Sequence, residues 1–352
     1  MKLLIKIVIK VFPKSVSDLK TLNKIRDNFT FDVDFWSDIH HTQNAVLFHV
    51  SPRYKRNVVK FLNNAGVNHS TVIEDLGIWI KSIHEYASRR KAVNVLKSDE
   101  IDFEHYYTYE QIVDILKSLE QKFASIAKYT SIGVTYEHRN IPAIVVNSDV
   151  SKQKPAIVFE CGIHAREWIS PATCLWIVND LLATNSGNEL IKNHSFHFLL
   201  LTNPDGYQFT WTHNRLWRKN RSPGKFNLWY DCSGIDLNRN FDVSYATLGS
   251  TDNQCDYTYH GKYAFSELET QAIRNYVINL TKRTNIDIYF SVHSFAQIWL
   301  YPYAFTDETP ENNDDYIRLS KLAMKAISDT NGEKYSFGRV AKVMYKSGGC
   351  SI

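Results

Sequence analysis

The chain has 352 residues, which at about 150 residues per domain suggests two domains, or a large one with a small one. Apolar residues make up 44% and charged residues 22%, ordinary globular values that exclude wholesale disorder. A net charge of +4 is too weak to argue for nucleic acid, and no apolar run is long enough to span a membrane as a helix. Five cysteines are an odd number and too few for a disulfide scaffold.

The opening MKLLIKIVIK faintly resembles a signal peptide, but Lys6 interrupts its short apolar stretch and no small-residue cleavage site follows. It reads as a strand within residues 2–12. Val16, Leu19, Leu22 and Ile25 recur at helical spacing. A strand over 45–50, a helix over 52–65 and a strand over 67–75 complete a β-α-β-α-β order, which fits a small open α+β sandwich of split-βαβ type. The segment 76–91 is helical in pattern and ends in Arg89-Arg90-Lys91, which reads as solvated surface or as a cleavage point for a trypsin-like protease. Asn-x-Ser/Thr sequons at Asn28, Asn68, Asn193 and Asn279 lean toward secretion.

From about residue 104 strands and helices alternate. Thr108-x-x-Gln111 reads as a capping box before a helix carrying Ile112, Ile115, Leu119, Phe123 and Ile126. Apolar runs at 155–163, 195–203 and 286–293 read as buried strands. Ser170-Pro171 reads as one helix start, with Pro at the first helical position. Ser266-x-x-Glu269 caps a helix over 267–283, and a last helix covers about 314–330 with Gly332 just after it. The pattern predicts an α/β fold with a mixed, mostly parallel sheet and helices on both faces. Ligands in such folds sit beyond the carboxyl ends of the strands.

Those ends carry polar clusters. The first strand leads to His164 and Glu167, the only His-x-x-Glu pair in the chain. Alone, the pair is equally a histidine and a glutamate on a surface turn. The spacing also lets an imidazole and a carboxylate converge on one ion, and Zn²⁺ then needs a third protein ligand. His293, after the third strand, lies at the same sheet edge. His194 and His197 sit at the start or interior of the second strand and read as structural. A run of cations, Arg215, Arg218 and Lys219 followed by Asn238 and Arg239, reads as a solvated face or as a clamp for a carboxylate or an oxyanion.

These motifs resemble the zinc metallocarboxypeptidases of the pancreatic carboxypeptidase A/B type. The resemblance rests on GIHAREWISPA (162–172), NPDGYQFTWTHNRLWRKNRS (203–222), DCSGIDLNRNF (231–241), CDYTYHGKYAFSELET (255–270), SVHS (291–294), LYPY (300–303) and YKSGGCSI (345–352). It runs from about residue 100 to the last residue, and the N-terminal unit looks like the family's inhibitory activation segment. It implies an eight-stranded-type sheet, an activation domain over 1–80, a connecting segment with the cleavage region over 81–101, and a zinc carboxypeptidase domain over 102–352.

The resemblance further implies that His164, Glu167 and His293 hold one zinc ion. Arg218 polarises the scissile carbonyl, Asn238 and Arg239 bind the substrate's terminal carboxylate, Tyr345 closes over it, and Arg166 lines an adjacent subsite. It implies disulfides Cys161–Cys174 and Cys232–Cys255, leaving Cys350 over, and hence an oxidising, extracellular compartment. The partners it implies are peptide or protein C-termini and an activating trypsin-like protease, with no nucleic acid or membrane partner and a monomeric state. Phe295 stands where the family usually has tyrosine. The family's general-base glutamate lies on a strand beyond the SGG segment, so the resemblance implies a domain incomplete at its C-terminus. Ungapped counting puts Ile352 at the base of the side-chain pocket, which favours an apolar or aromatic C-terminal residue. Two other readings are a non-catalytic homologue that binds peptide C-termini and a same-fold deacylase of small amides. The Asn238–Arg239 pair and the N-terminal unit argue against the deacylase.

Overall fold

A computed structural model of the chain describes residues 6–29, 32–36, 39, 42, 45–90, 101–226, 231–294 and 296–351, with backbone only over 84–90. These residues divide into two compact units: one within Met1–Val93 together with Lys342–Tyr345, the other formed by the remainder.

In the N-terminal unit, β1 (Ile7–Val11), α1 (Val16–Asn28), β2 (Val33–Phe35), β3 (Val46–Val50), α2 (Lys55–Asn64), β4 (His69–Ile73) and α3 (Leu76–Arg90) follow one another. The sheet order is β2-β3-β1-β4, with every pair antiparallel. Ser15 starts α1 by accepting the Asp18 N–H at 3.2 Å. Helical spacing then brings Leu22 and Ile25 of α1, and Val58 and Leu62 of α2, into one core with Ile7, Ile9, Val11 and Phe48. The expected β-α-β-α-β elements are all present. The addition is β2, whose three residues are too few to display a period.

The larger unit begins with α4 (Tyr109–Lys122). Thr108 and Gln111 close its capping box: the Gln111 side chain accepts the Thr108 N–H at 2.9 Å and Thr108 accepts the Gln111 N–H at 3.4 Å. Then come β5 (Ala127–Val134), β6 (Asn140–Val146), β7 (Ala156–Cys161), α5 (Ile169–Ala183), α6 (Asn185–Asn193), β8 (Ser195–Leu199) and α7 (Pro204–Thr212). After two short strands, β9 (Lys225–Phe226) and β10 (Asp231–Cys232), the chain forms α8 (Leu268–Thr281), β11 (Ile286–Val292) and β12 (Ile298–Tyr301). It continues through α9 (Asn313–Asn331), β13 (Ser336–Arg339) and α10 (Val340–Val343). Gly332 ends α9 at φ 76°, a left-handed conformation glycine adopts without strain.

The central sheet is mixed, as expected, but it corrects the expectation that it is mostly parallel. Its order is β11-β7-β8-β6-β5, five strands among the described residues. β11–β7 and β7–β8 are parallel, whereas β8–β6 and β6–β5 are antiparallel. Over all the described sheets antiparallel pairs outnumber parallel ones. The strands β12 and β13 pair with each other instead of joining the sheet. The sequence hid the antiparallel side because β5 shows no clean alternation and β6 carries Pro142.

Alternation within the sheet feeds two apolar layers. Phe196 and Phe198 of β8 and Ile144 and Val146 of β6 pack with α4 and α5. Leu199, Ala143 and Val158 point to the layer holding Ile273 and Leu280 of α8. Helices therefore cover both faces. No helix among the described residues is long and apolar enough to cross a membrane.

Two helix starts differ from expectation. Helix α5 begins at Ile169, so Pro171 is its third residue. Ser170 accepts the Gly162 N–H at 2.9 Å and donates to the Val292 carbonyl at 2.5 Å, tying the end of β7 to the end of β11. Ser266 does not cap α8. It donates to Glu267 at 2.7 Å and accepts from the Asn240 amide at 2.9 Å.

Burial pushes the Glu269 carboxyl up to about 8. Its partner Asn220 donates to it at 3.0 Å and to Glu267 at 2.8 Å. A folded pKa above the unfolded 4.5 gives stability that is complete below pH 4.5 and is lost as pH rises through about 8. Glu269→Gln, which cannot ionise, is expected to flatten the fall in thermal midpoint between pH 5 and 9; an unchanged pH slope in thermal melts contradicts the assignment.

Candidate active site

The site grows from the ends of β7 and β11. After Cys161 the chain turns at Gly162, where φ is 69° and an added Cβ would meet Leu201 Cδ1 at 2.7 Å, so only glycine fits. Asn203 donates its amide to the Ile163 carbonyl at 3.0 Å, and the Ala165 N–H reaches the Arg218 carbonyl at 3.1 Å. The tight turn that follows, with the Glu167 N–H on the His164 carbonyl at 3.2 Å, sets both side chains on one side. β11 runs parallel to β7 with Val292 opposite Cys161, which delivers His293 to the same edge.

His164 Nδ1 is 2.8 Å from Glu167 Oε1, and His293 Nδ1 is 3.1 Å from both Glu167 Oε2 and His164 Nδ1. All three donor groups lie within 4.8 Å of one another. The side chains of His164 and Glu167 are 4% and 8% exposed, that of His293 28%. Burial pushes the Glu167 carboxyl up, but the facing His164 and His293 outweigh it and hold it well below the carboxylate range. Burial pushes His293 down, and the Glu167 carboxylate more than reverses this.

The donor set fits zinc. Two imidazoles present the same ring nitrogen to a common point beside a carboxylate, and three protein ligands leave a fourth position for water. The far nitrogens both face polar neighbours, the setting in which outer groups orient ligand histidines. His164 Nε2 lies 3.2 Å from Asp236 Oδ1, and His293 Nε2 lies 3.0 Å from Ser291 Oγ.

Asp236 is fully buried and joins the His164, Glu167 and His293 cluster to the cationic one. Its Oδ2 accepts from Arg218 Nε at 3.0 Å and from Nη2 at 2.8 Å. Its Oδ1 accepts the Asn238 N–H at 3.1 Å, capping the single 3₁₀ turn Leu237–Arg239. Burial pushes Asp236 up, but Arg218 and His164 overcome this and hold it well below the carboxylate range. Arg218 Nη1 also stands 3.8 Å from Glu167 Oε1.

Asn238 turns its Oδ1 to the Ser351 N–H at 2.9 Å, and its Nδ2 is 3.4 Å from His293 Nε2. Arg239 donates from Nε to the Gly249 carbonyl at 2.8 Å and from Nη1 to the Asn238 carbonyl at 2.7 Å. Gly349, at φ 70°, passes so close to this arginine that a Cβ would meet its carbonyl oxygen at 2.2 Å. Arg166 donates to the Leu216 carbonyl at 3.4 Å and stands 5.6 Å from the Tyr257 ring centroid. Tyr345 belongs to the segment 342–345 that groups with the N-terminal unit. Phe295 and Ile352 lie outside the described residues.

Sequence reasoning brought His164, Glu167, His293, Arg218 and Asn238 to one place, and the structure does the same. It missed Asp236 as a functional group. The available signal was an aspartate two residues ahead of Asn238, the spacing of a side-chain cap. Of the two histidines read as structural, His197 is buried between Ser195 and Tyr276, where burial lowers it to about 4, and His194 stands away from the cluster, partly exposed and 3.2 Å from Asp287.

Both implied disulfides form. Cys161–Cys174 links the end of β7 to α5, and Cys232–Cys255 closes the loop beyond β10, while Cys350 is a buried free thiol.

Comparison with known proteins identifies the family. The family model for zinc carboxypeptidase matches residues 112–352, and the model for the carboxypeptidase activation peptide matches residues 9–82. The chain is 31% identical to human carboxypeptidase A1 over 98% of its own length and 81% of that protein's. It is 33% identical to human carboxypeptidase B, over 97% and 81%. The crystal structure of carboxypeptidase A from Helicoverpa armigera superposes with a TM-score of 0.88 at 25% identity, covering 99% of this chain and 85% of that one. The chain therefore belongs to the zinc carboxypeptidase family, a metal-dependent group of hydrolases whose cofactor is zinc, and it carries the family's activation peptide at its N-terminal end.

Proposed function

We propose that the chain is a secreted, monomeric zymogen whose larger unit removes the C-terminal residue of peptides, with His164, Glu167 and His293 as the zinc ligands. The observation that carries this reading is the convergence of two imidazole nitrogens and one carboxylate within 4.8 Å. Bound there, zinc supplies a Lewis acid and a water whose pKa falls to about 7.

The remaining roles belong to the chain's own side chains. Arg218, oriented by two hydrogen bonds to Asp236, aims a fixed positive charge at the carbonyl oxygen where negative charge develops. Asn238 and Arg239 bind the substrate's free carboxylate, which restricts cleavage to the chain end. Tyr345 closes over that carboxylate, and Arg166 lines the neighbouring subsite. Residues 1–80 act as the activation domain and 102–352 as the enzyme. Cleavage by a trypsin-like protease falls within 81–101, at the basic residues that begin with Arg89; residues 91–100 lie outside the described ones. Two disulfides support an extracellular location. The preference for apolar or aromatic C-terminal residues rests on Ile352.

In a chain that carries the family's general-base strand, trypsin treatment is expected to release an activity that hydrolyses blocked dipeptides ending in Phe faster than those ending in Arg. A chelator and His164→Ala are each expected to abolish the activity. Full activity of His164→Ala overturns the zinc ligation, and faster release of Arg overturns the pocket assignment. Retention of peptide C-termini without hydrolysis identifies a binding protein instead. Arg218→Lys is expected to lower kcat by about 100- to 1000-fold with little change in KM, measured by steady-state kinetics on the same dipeptides.

A further inference from the structure

One buried carboxylate in the larger unit has no part in the roles above. Glu160, on β7, is 0% exposed. It stands directly opposite Ser291 in the register of β7 with β11. The hydroxyls of Tyr289 and Ser291 reach its Oε2 at 3.0 and 3.1 Å. Ser291 Oγ is in turn 3.0 Å from His293 Nε2 and 3.1 Å from Ser351 Oγ.

Proton counting gives this chain a direction. A carboxylate only accepts, so both hydroxyls donate to Glu160. A serine has one proton, and Ser291 has then spent it. Only lone pairs remain on its oxygen for its other two neighbours, so His293 Nε2 must be the donor toward Ser291. An imidazole that is neutral and carries its proton on Nε2 has its lone pair on Nδ1, the nitrogen aimed at the cluster. The Asn238 amide nitrogen lies farther off, at 3.4 Å, and its oxygen is held by the Ser351 N–H.

We propose that Glu160 and Ser291 are positioning residues that fix the ring orientation and Nε2–H tautomer of His293 for zinc. The proposal rests on His293 being a ligand, as argued above. It gives the two ligand histidines different supports: His164 faces the Asp236 carboxylate directly, whereas His293 is connected to Glu160 through a hydroxyl. Such outer partners typically change metal affinity by about 10- to 100-fold.

The test measures the zinc dissociation constant of the full chain by competition with a chromophoric chelator, together with the His293 Nε2–H resonance of the zinc-loaded protein by ¹⁵N NMR. Ser291→Ala is expected to weaken zinc binding by about 10- to 100-fold and to move or broaden that resonance, with the thermal midpoint of the metal-free chain unchanged. Ser291→Thr, which keeps the hydroxyl, restores both. Glu160→Gln, whose carbonyl still accepts the Ser291 proton but without the charge, gives an intermediate loss. Wild-type affinity and resonance in Ser291→Ala overturn the relay, as does failure of Ser291→Thr to restore them, provided His293→Ala loses zinc. If His293→Ala binds zinc as the wild type does, the ligand assignment itself fails.

Discussion

A carboxylate with no access to water has to be matched by donors on every side, and Asp236 is the point at which this chain meets that demand. Leaving such a charge unpaired costs several kcal/mol, so its neighbours are constrained as a group. Arg218 closes one oxygen with two hydrogen bonds, and the Asn238 backbone closes the other, with the His164 ring 3.2 Å away. One buried anion thereby holds together His164, a cationic side chain and the turn that presents Asn238 and Arg239. Moving any of these groups leaves the others facing an uncompensated charge, which is a stronger restraint than packing alone provides.

The sheet supplies the second restraint. Parallel pairing of β7 and β11 sets the two ligand-bearing ends side by side, and Ser170 pins them with one hydroxyl used as both acceptor and donor. The antiparallel strands β6 and β5 take no part in the site. They extend the sheet and supply apolar surface for α4 and α5. Chemistry is thus confined to the parallel half, where neighbouring strands end at the same edge.

This division also explains what the sequence disclosed. The runs of β7 and β8 are buried and largely apolar, so they were legible, as were the polar residues that end them; β11, read as buried, is an edge strand among the described residues, with Asp287 exposed and none of its residues fully buried. The capping box at Thr108 and the stop at Gly332 were legible because each depends on local geometry. Pairing direction was not legible. β5 and β6 are chosen by a hairpin and by cross-strand fit, which no local period encodes. Asp236 stayed hidden for a related reason, since its partners come from residues 164, 218 and 238. Ser266 failed as a cap because the buried Glu267 and Asn240 competed for its hydroxyl, a tertiary effect overriding a local preference.

The Cys161–Cys174 bond encloses His164 and Glu167 in a covalent ring with a sequence separation of 13. Closing a loop of this size beforehand removes about 3 kcal/mol of chain entropy from the unfolded ensemble. Two of the cluster's three donor residues, His164 and Glu167, lie inside that ring. The bond therefore restricts the one loop that carries two of the three converging donors, so less chain freedom remains to be lost when they are brought together.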